Sequence, residues 1–381
     1  MGLKRQLFAL LLMTLVVQSL PAESSAKTGN KQETGTIKLT DPVHPEKPKR
    51  KHDLVVYKDS RGYPKGYAMD LVNEVCLNDV CKVVKVTMYW DAMGFYDRLE
   101  YPEGKPLTKL EHEPFTANDY EKLDGILKDR QSILNNHSLA YLAKEADPDP
   151  DTRDVEGVSK ATPATVRQAV VKDAAWTTWV LWKYANTEIV PILCNATEAH
   201  CTPAYIEYML DSKDWRNIQF VLKYLLKQDT VPSRYTSRVA QTLPTADMDQ
   251  FELALQYLKR AINDRGRFYR QLIKTLPSLR EYNAAMVIDQ LALEEKLQNE
   301  TLVYLTHHLD KASFYPIHLA LRLIERRKFF SGDVERNVAK LLNNKDFFIA
   351  RRASEFLAKQ KLSPQTEQLL RSFRDKYADR L

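Results

Sequence analysis

The sequence predicts an α+β N-terminal domain, a small antiparallel sheet with helices, followed by an all-α solenoid. Three observations carry that prediction. Nine of the 11 glycines lie before residue 158, and only Gly266 and Gly332 follow it, which separates a turn-bearing region from a helical one. Residues 53–104 alternate apolar and polar side chains in strand-length runs bounded by turns. From about Thr202 onward, apolar residues recur at helical spacing in segments of roughly 12 to 17 residues joined by short connections.

At roughly 150 residues per domain, the 381 residues are enough for two domains, each able to bury a core without metal or disulfide staples. Hydrophobic residues are 44% and charged residues 28%, a globular composition that excludes collagen-like, knottin-like and wholly disordered chains. The formal charge of +6 comes from the start of the chain. Residues 53–381 hold 47 Lys and Arg against 46 Asp and Glu. No basic stripe with interleaved aromatics is present, so no nucleic-acid partner is expected.

The elements follow in order. Residues 1–26 open with Lys4 and Arg5, continue through an apolar run over residues 7–17, and end in Ser24, Ser25 and Ala26. This is the three-part form of a secretory signal peptide. Its apolar run of about 11 residues is short of the roughly 20 that a spanning helix needs. The expectation is an exported protein, periplasmic or extracytoplasmic and soluble after cleavage near Lys27 or after Ala22. Residues 27–52, with Pro42, Pro45 and Pro48 among polar residues, read as a disordered linker.

Strands are expected over residues 54–57, 67–76 and 81–90, with a turn at Arg61-Gly62 and with Val84, Val86, Met88 and Trp90 on one face. Cys76 and Cys81 flank a hairpin tip, and Cys194 and Cys201 form a second close pair. In an exported chain these two pairs invite local disulfides. They lack the tighter spacing and neighbouring His residues of a zinc site, so no metal is expected.

Thr116 with Asp119 resembles a capping box opening a helix over residues 118–134, with Tyr120, Leu123, Leu127 and Leu134 on its apolar face. Beyond the turn-rich residues 147–151, a helix is expected over residues 163–184, carrying Trp176, Trp179 and Trp182. Three tryptophans at helical spacing point to core. Later helices are expected over residues 215–227, 248–262, 282–296, 315–327 and 347–359. The segments beginning at Phe314 and Phe347 stand 33 residues apart in similar register.

No G-x-S-x-G elbow, HExxH helix, Walker loop or G-x-G-x-x-G fingerprint occurs. The eight histidines are scattered, and Glu111 and Glu113 around His112 fall in a polar loop. Thr162 before Pro163 is a good N-cap with proline at the first helical position. A phosphate on that hydroxyl would sit at a helix N-terminus, where free amides and the helix dipole favour an anion.

Two resemblances add to this reading. The segment Val155-Glu156-Gly157-Val158-Ser159-Lys160-Ala161-Thr162-Pro163 resembles the flavinylation motif of the FMN-binding domain family, found in exported electron carriers. That motif reads Asp, two residues, Ser or Thr, Gly, Ala, then the Thr that carries FMN through a phosphoester bond. Ser159, Ala161 and Thr162 match it, Glu156 stands where Asp belongs, and Lys160 replaces the Gly. The resemblance implies a domain over residues 53–200 that binds FMN, covalently at Thr162 or non-covalently. It also implies a flavin transferase and a membrane-associated redox partner, with Trp176, Trp179 or Tyr184 available to stack on the ring. The 33-residue recurrence is similar to HEAT-type repeats and implies a helical repeat domain over residues 201–381 that binds a protein partner.

Two functions follow as expectations. One is an extracytoplasmic flavin-dependent electron carrier, an electron-transfer protein rather than a turnover enzyme. The other is a non-catalytic envelope binding or scaffold protein, in which a degenerate flavin domain is fused to a protein-binding solenoid.

Overall fold

The structure, a computed structural model, describes residues 32–77, 80–109, 112–139, 141–142 and 163–380. An N-terminal α+β region is followed by a region built of helices. Five strands, β1 (Gln32–Leu39), β2 (Arg50–Lys58), β3 (Pro64–Leu77), β4 (Val80–Asp91) and β5 (Tyr96–Glu100), form one antiparallel sheet in sequential order. The expected meander is therefore present, with two strands more than the periodicity marked.

The stretch expected to be a disordered tether holds β1 instead. Gln32 to Leu39 pair residue by residue with Tyr57 to Arg50. All but Leu39 are wholly or partly exposed, so the ladder of backbone hydrogen bonds, rather than apolar burial, holds this edge strand. Thr34, Thr36 and Ile37 suit an extended edge.

One face of the sheet is apolar. Tyr67 stands opposite Trp90, Met69 opposite Met88 and Leu71 opposite Val86, and all six side chains are buried. Gly66 is required where the strands press closest, because a Cβ there would meet the Trp90 carbonyl oxygen at 2.6 Å.

Helices cover that face. α1 (Ala117–Lys128) opens with the expected capping box. The Asp119 amide donates to Thr116 Oγ1, and the Thr116 amide donates to Asp119 Oδ2 at 2.8 Å. The helix ends earlier than expected, and Leu134 is buried from a separate 3-10 turn, Ile133–Asn135. The helix expected over residues 163–184 is two helices, α2 (Pro163–Ala169) and α3 (Ala175–Asn186). Asp173 lies between them in the left-handed region at φ 58°, a conformation that does not continue a right-handed helix.

Two of the three tryptophans of α3 act as expected of core, while Trp176 is partly buried and packs against it. Trp182 is buried and its indole donates to the Asp129 carbonyl at 2.8 Å, while Trp179 donates to His137 at 3.1 Å. Trp90 closes the sheet against the same helix, donating to the Ala185 carbonyl at 2.9 Å. α4 (Ile189–Glu198) completes this region.

α5 (Pro203–Leu210), α6 (Trp215–Leu226), α7 (Thr236–Thr242), α8 (Met248–Ala261), α9 (Arg265–Thr275), α10 (Glu281–Leu293), α11 (Asn299–His307), α12 (Phe314–Arg327), α13 (Gly332–Lys340), α14 (Phe347–Leu357) and α15 (Pro364–Lys376) follow. The helices α6, α8, α10, α12 and α14 begin at residues 215, 248, 281, 314 and 347, each 33 residues after the last. In every one of them the fourth, seventh, eighth and eleventh residues are buried. In α6 these are Ile218, Val221, Leu222 and Leu225; in α12 they are Ile317, Ala320, Leu321 and Ile324. This spacing of i, i+3, i+4 and i+7 is one face of a helix.

The helices pack in two series, α6 on α8 on α10 on α12 on α14, and α7 on α9 on α11 on α13 on α15. Polar contacts recur along the first series. Arg260 donates to the Leu226 carbonyl at 2.6 Å and to Gln228 at 3.1 Å, and Arg327 donates to Ala292, Glu294 and Glu295. Each arginine satisfies carbonyls that the end of the preceding helix leaves free.

Two clusters of buried side chains result, one running from Leu39 to Leu193 and one from Tyr205 to Phe373. Ala92 and Met93, in the β4–β5 turn, belong to the second. Among the described residues no helix is long and apolar enough to cross a membrane.

Candidate functional site

A cavity of about 390 Å³ opens where the end of β1 meets α3 and α4, within the roughly 300–1,000 Å³ of small-molecule sites. Leu39 and Thr40 come from β1 and its exit, Trp179, Lys183 and Tyr184 from one face of α3, and Glu188 from the α3–α4 junction. Trp179 and Lys183 share one face because they lie four positions apart on the helix, and Tyr184 flanks them from the next position.

Glu188 ties the walls together. It accepts from the Thr40 amide at 2.7 Å and pairs with Lys49. Burial pushes its carboxyl up, but Lys49 and the Thr40 amide outweigh burial and hold it below the ordinary range. Lys183 has its ammonium 5.3 Å from the Trp179 ring and 5.6 Å from the Trp182 ring, and donates to the Asn135 carbonyl at 2.9 Å. Burial holds its pKa below the usual lysine value. Tyr184 is buried, and burial first, then Asp41, pushes its phenol up.

Behind Tyr184 lies a polar cluster on the sheet. Asp41 is buried, pairs with Arg50 at 3.1 Å and accepts from the Val43 amide at 3.0 Å. Arg50 in turn donates to Asn73 at 3.0 Å. The His52 ring stands edge-on to Tyr184 at 6.1 Å. Burial, with Arg50 adding to it, keeps that imidazole below its ordinary pKa. Among the described residues His52 Nε2 and Asn73 Nδ2 are buried with no hydrogen-bond partner, an arrangement that costs free energy unless something else satisfies them.

Glu156, Ser159, Ala161 and Thr162 lie outside the described residues. The helix expected after them does begin at Pro163, and α2 packs on the 3-10 turn at Ile133–Asn135. That turn supplies the carbonyl bound by Lys183. Of the aromatic residues singled out from sequence, Trp179 and Tyr184 share the cavity, while Trp176 does not line it. Leu39, Thr40, Lys183 and Glu188 escaped the sequence reading. A β-branched run ending at Leu39 was the available signal for the first two.

The cysteine expectations divide. The register sets Cys76 opposite Cys81 across the β3–β4 hairpin. Cys194 and Cys201 are free thiols, and the disulfide expected between them is absent. Cys194 lies on α4 and Cys201 just beyond its end. The four helical steps from Cys194 to Glu198 already separate the two by about 6 Å along the axis before the chain turns toward Cys201, which keeps the sulfurs from the close approach a bridge needs. Their thiols face the Met93 and Thr197 carbonyls instead. Burial pushes both thiols up, Cys201 to about 12, which disfavours the thiolate form. Among the described residues no three His, Cys, Asp or Glu side chains converge as a metal site.

The cavity offers a stacking wall, one cation and one carboxylate. Such an arrangement can hold and orient a small ligand. No protein family, curated protein or solved structure matches the chain.

Proposed function

We propose that this chain is a non-catalytic, exported binding protein: an α+β module joined to a solenoid of short helical repeats that holds a protein partner. The observation that carries this reading is the recurrence of five helices at 33-residue intervals with the same four positions buried in each. A unit that repeats one interface with its neighbour stacks in one dimension and leaves long faces open for binding. The period is shorter than the roughly 40–47 residues of HEAT units, so the repeats are HEAT-like in packing and more compact in length.

In-cell cross-linking of the full chain, followed by mass spectrometry, tests the proposal. The expected result is a protein partner linked to lysines of residues 215–376. Cross-links confined to the sheet, or to the chain itself, would overturn it.

The cavity favours a second reading, a flavin-dependent electron carrier. Trp179 and Tyr184, two of the residues available to stack on an isoalloxazine, line one cavity of suitable size, with Lys183 beside them. Bound FMN would supply the electron-carrying ring. The chain would supply the stacking wall and exclude water, while Lys183 offers a cation to an anionic group. Intact-mass and absorbance measurements on protein co-expressed with a flavin transferase, beside Thr162→Ala, distinguish the readings. An adduct lost in the variant supports covalent FMN, and a colourless, unmodified protein that does not bind free FMN removes this reading.

A further inference from the structure

Within the helical region, α12 and α14 enclose a groove of about 570 Å³. Phe314 and Phe348 line it although they are 37% and 61% exposed, and their rings meet edge to face at 6.4 Å. Exposed aromatic rings at the edge of a groove are unusual on a surface that touches only water.

The groove is also cationic. Arg322, Arg351, Arg352 and Lys359 line it against only two carboxylates, Glu325 and Glu355. Glu325 serves two of the cations, Arg352 at 2.8 Å and Lys359 at 3.2 Å. Arg351 pairs with Glu355 at 3.0 Å, one helical turn away. Arg322 is exposed and forms no ion pair among the described residues. His318, partly buried beside Phe314, has its pKa lowered by burial and then by Arg352 and Arg322, so near neutral pH it adds an uncharged ring.

The imbalance extends beyond the groove. Residues 314–381 hold 15 Lys and Arg against 8 Asp and Glu, whereas residues 53–313 hold 32 against 38. The near-neutral total of residues 53–381 hides a basic C-terminal end, which draws an anionic partner more strongly than residues 53–313 do.

A surface that tracks phosphates presents a row of unpaired cations. Here three of the four cations already face carboxylates, and aromatic rings occupy one part of the groove. That combination suits a ligand carrying a few carboxylates and an apolar side chain. We propose that this groove binds an acidic, extended peptide segment of a partner protein, with Arg322 and Arg351 receiving its carboxylates and Phe314 and Phe348 an apolar side chain. The inference rests on the helical region being the binding part of the molecule.

Fluorescence anisotropy of the full chain tests it, with a short labelled peptide that alternates Asp and Leu. The expected result is saturable binding, lost with an Asn–Leu peptide and weakened with an Asp–Ser peptide. The double variant Arg322→Glu, Arg351→Glu should weaken binding about tenfold or more. Phe314→Ser with Phe348→Ser should weaken it too, with unchanged circular dichroism as the control for folding. Arg371→Glu with Arg374→Glu makes the same charge change on exposed positions of α15 and should leave affinity within about twofold, as expected for charges outside the contact.

An equal loss in that second pair would reduce the effect to net charge and overturn the proposal. Absence of peptide binding, or tighter binding to phosphatidylserine vesicles or duplex DNA, would also overturn it. A partner cross-linked elsewhere on the helices, with no peptide binding here, would sink the groove and leave the scaffold reading standing. Peptide binding with no cross-linked partner would do the reverse.

Discussion

The sheet region and the helical region bury their side chains by different rules. In the first, each large residue has its own solution. Trp90 bonds to Ala185, Trp182 to Asp129 and Trp179 to His137, over sequence separations from 42 to 95 residues. In the second, one solution recurs every 33 residues, and the same four helical positions meet the neighbouring helices. A region of singular contacts concentrates stability in a few residues and can shape a cavity. A region of recurring contacts distributes stability and generates open surface.

Truncating a singular contact should have the largest effect. Trp182→Ala removes a side chain that is 1% exposed and takes the indole donor from the Asp129 carbonyl, leaving it only the Ser132 amide at 3.5 Å. The expected loss is about 3–5 kcal/mol, read by denaturant unfolding. A loss under about 1 kcal/mol would show that the site collapses around the gap and that the contact is not singular.

The recurring contacts predict equivalence. Leu225→Ala, Leu258→Ala and Leu291→Ala remove the eleventh residue of α6, α8 and α10, each buried. Each should cost roughly 2–5 kcal/mol, and the three values should agree within about 1 kcal/mol if the environments are the same. Values scattered across that whole range would mean that the period sets helix length but not packing.

The joint between the regions comes next. Thr197 on α4 sits between the Tyr67 hydroxyl at 2.6 Å and the Ala92 carbonyl at 2.5 Å. Tyr67 belongs to the first core and Ala92 to the second. Thr197→Val keeps the shape but strands both partners, so a loss of about 1–3 kcal/mol is expected. If the two regions then unfold in separate transitions where the parent shows one, the hydroxyl couples them. An unchanged single transition would place the coupling elsewhere.

Legibility in the sequence follows the same division. The five helices beginning at residues 215, 248, 281, 314 and 347 were readable within a few residues, because burial on one helical face imposes a period. The common 33-residue step was visible between Phe314 and Phe347 and hidden before them. The fourth position is Ile218, Phe251, Ala284, Ile317 and Ala350 in turn, so burial recurs while residue size does not. The Val84-to-Trp90 alternation and the Thr116–Asp119 cap were legible for the same local reason. β1 was not, since an edge strand held by backbone pairing needs little apolar pattern. Nor was the cavity, which brings Leu39 and Thr40 against Glu188 across some 150 residues, a juxtaposition no local pattern encodes. Thr162 and its motif partners were prominent in sequence and fall outside the described residues.

The smallest effect expected is also the most local. Asp119 closes the cap of α1 and pairs with Lys109 at 2.8 Å. Burial pushes its carboxyl up, but Lys109 and the Thr116 amide and hydroxyl outweigh burial and bring it down to about 2. A depressed folded-state pKa means that the ionised form favours the fold. Its contribution is complete above the unfolded aspartate value of about 3.9 and is lost as pH falls toward 2. Thr116→Ala should cost about 1 kcal/mol near neutral pH, the usual worth of an N-cap. Asp119→Asn should be less stable than the parent at pH 6, and the difference should shrink steadily below pH 4 as the parent's carboxylate takes up its proton. A difference that stays constant down to pH 2.5 would mean that the cap holds through its hydrogen-bond geometry and that the Lys109 pair adds nothing.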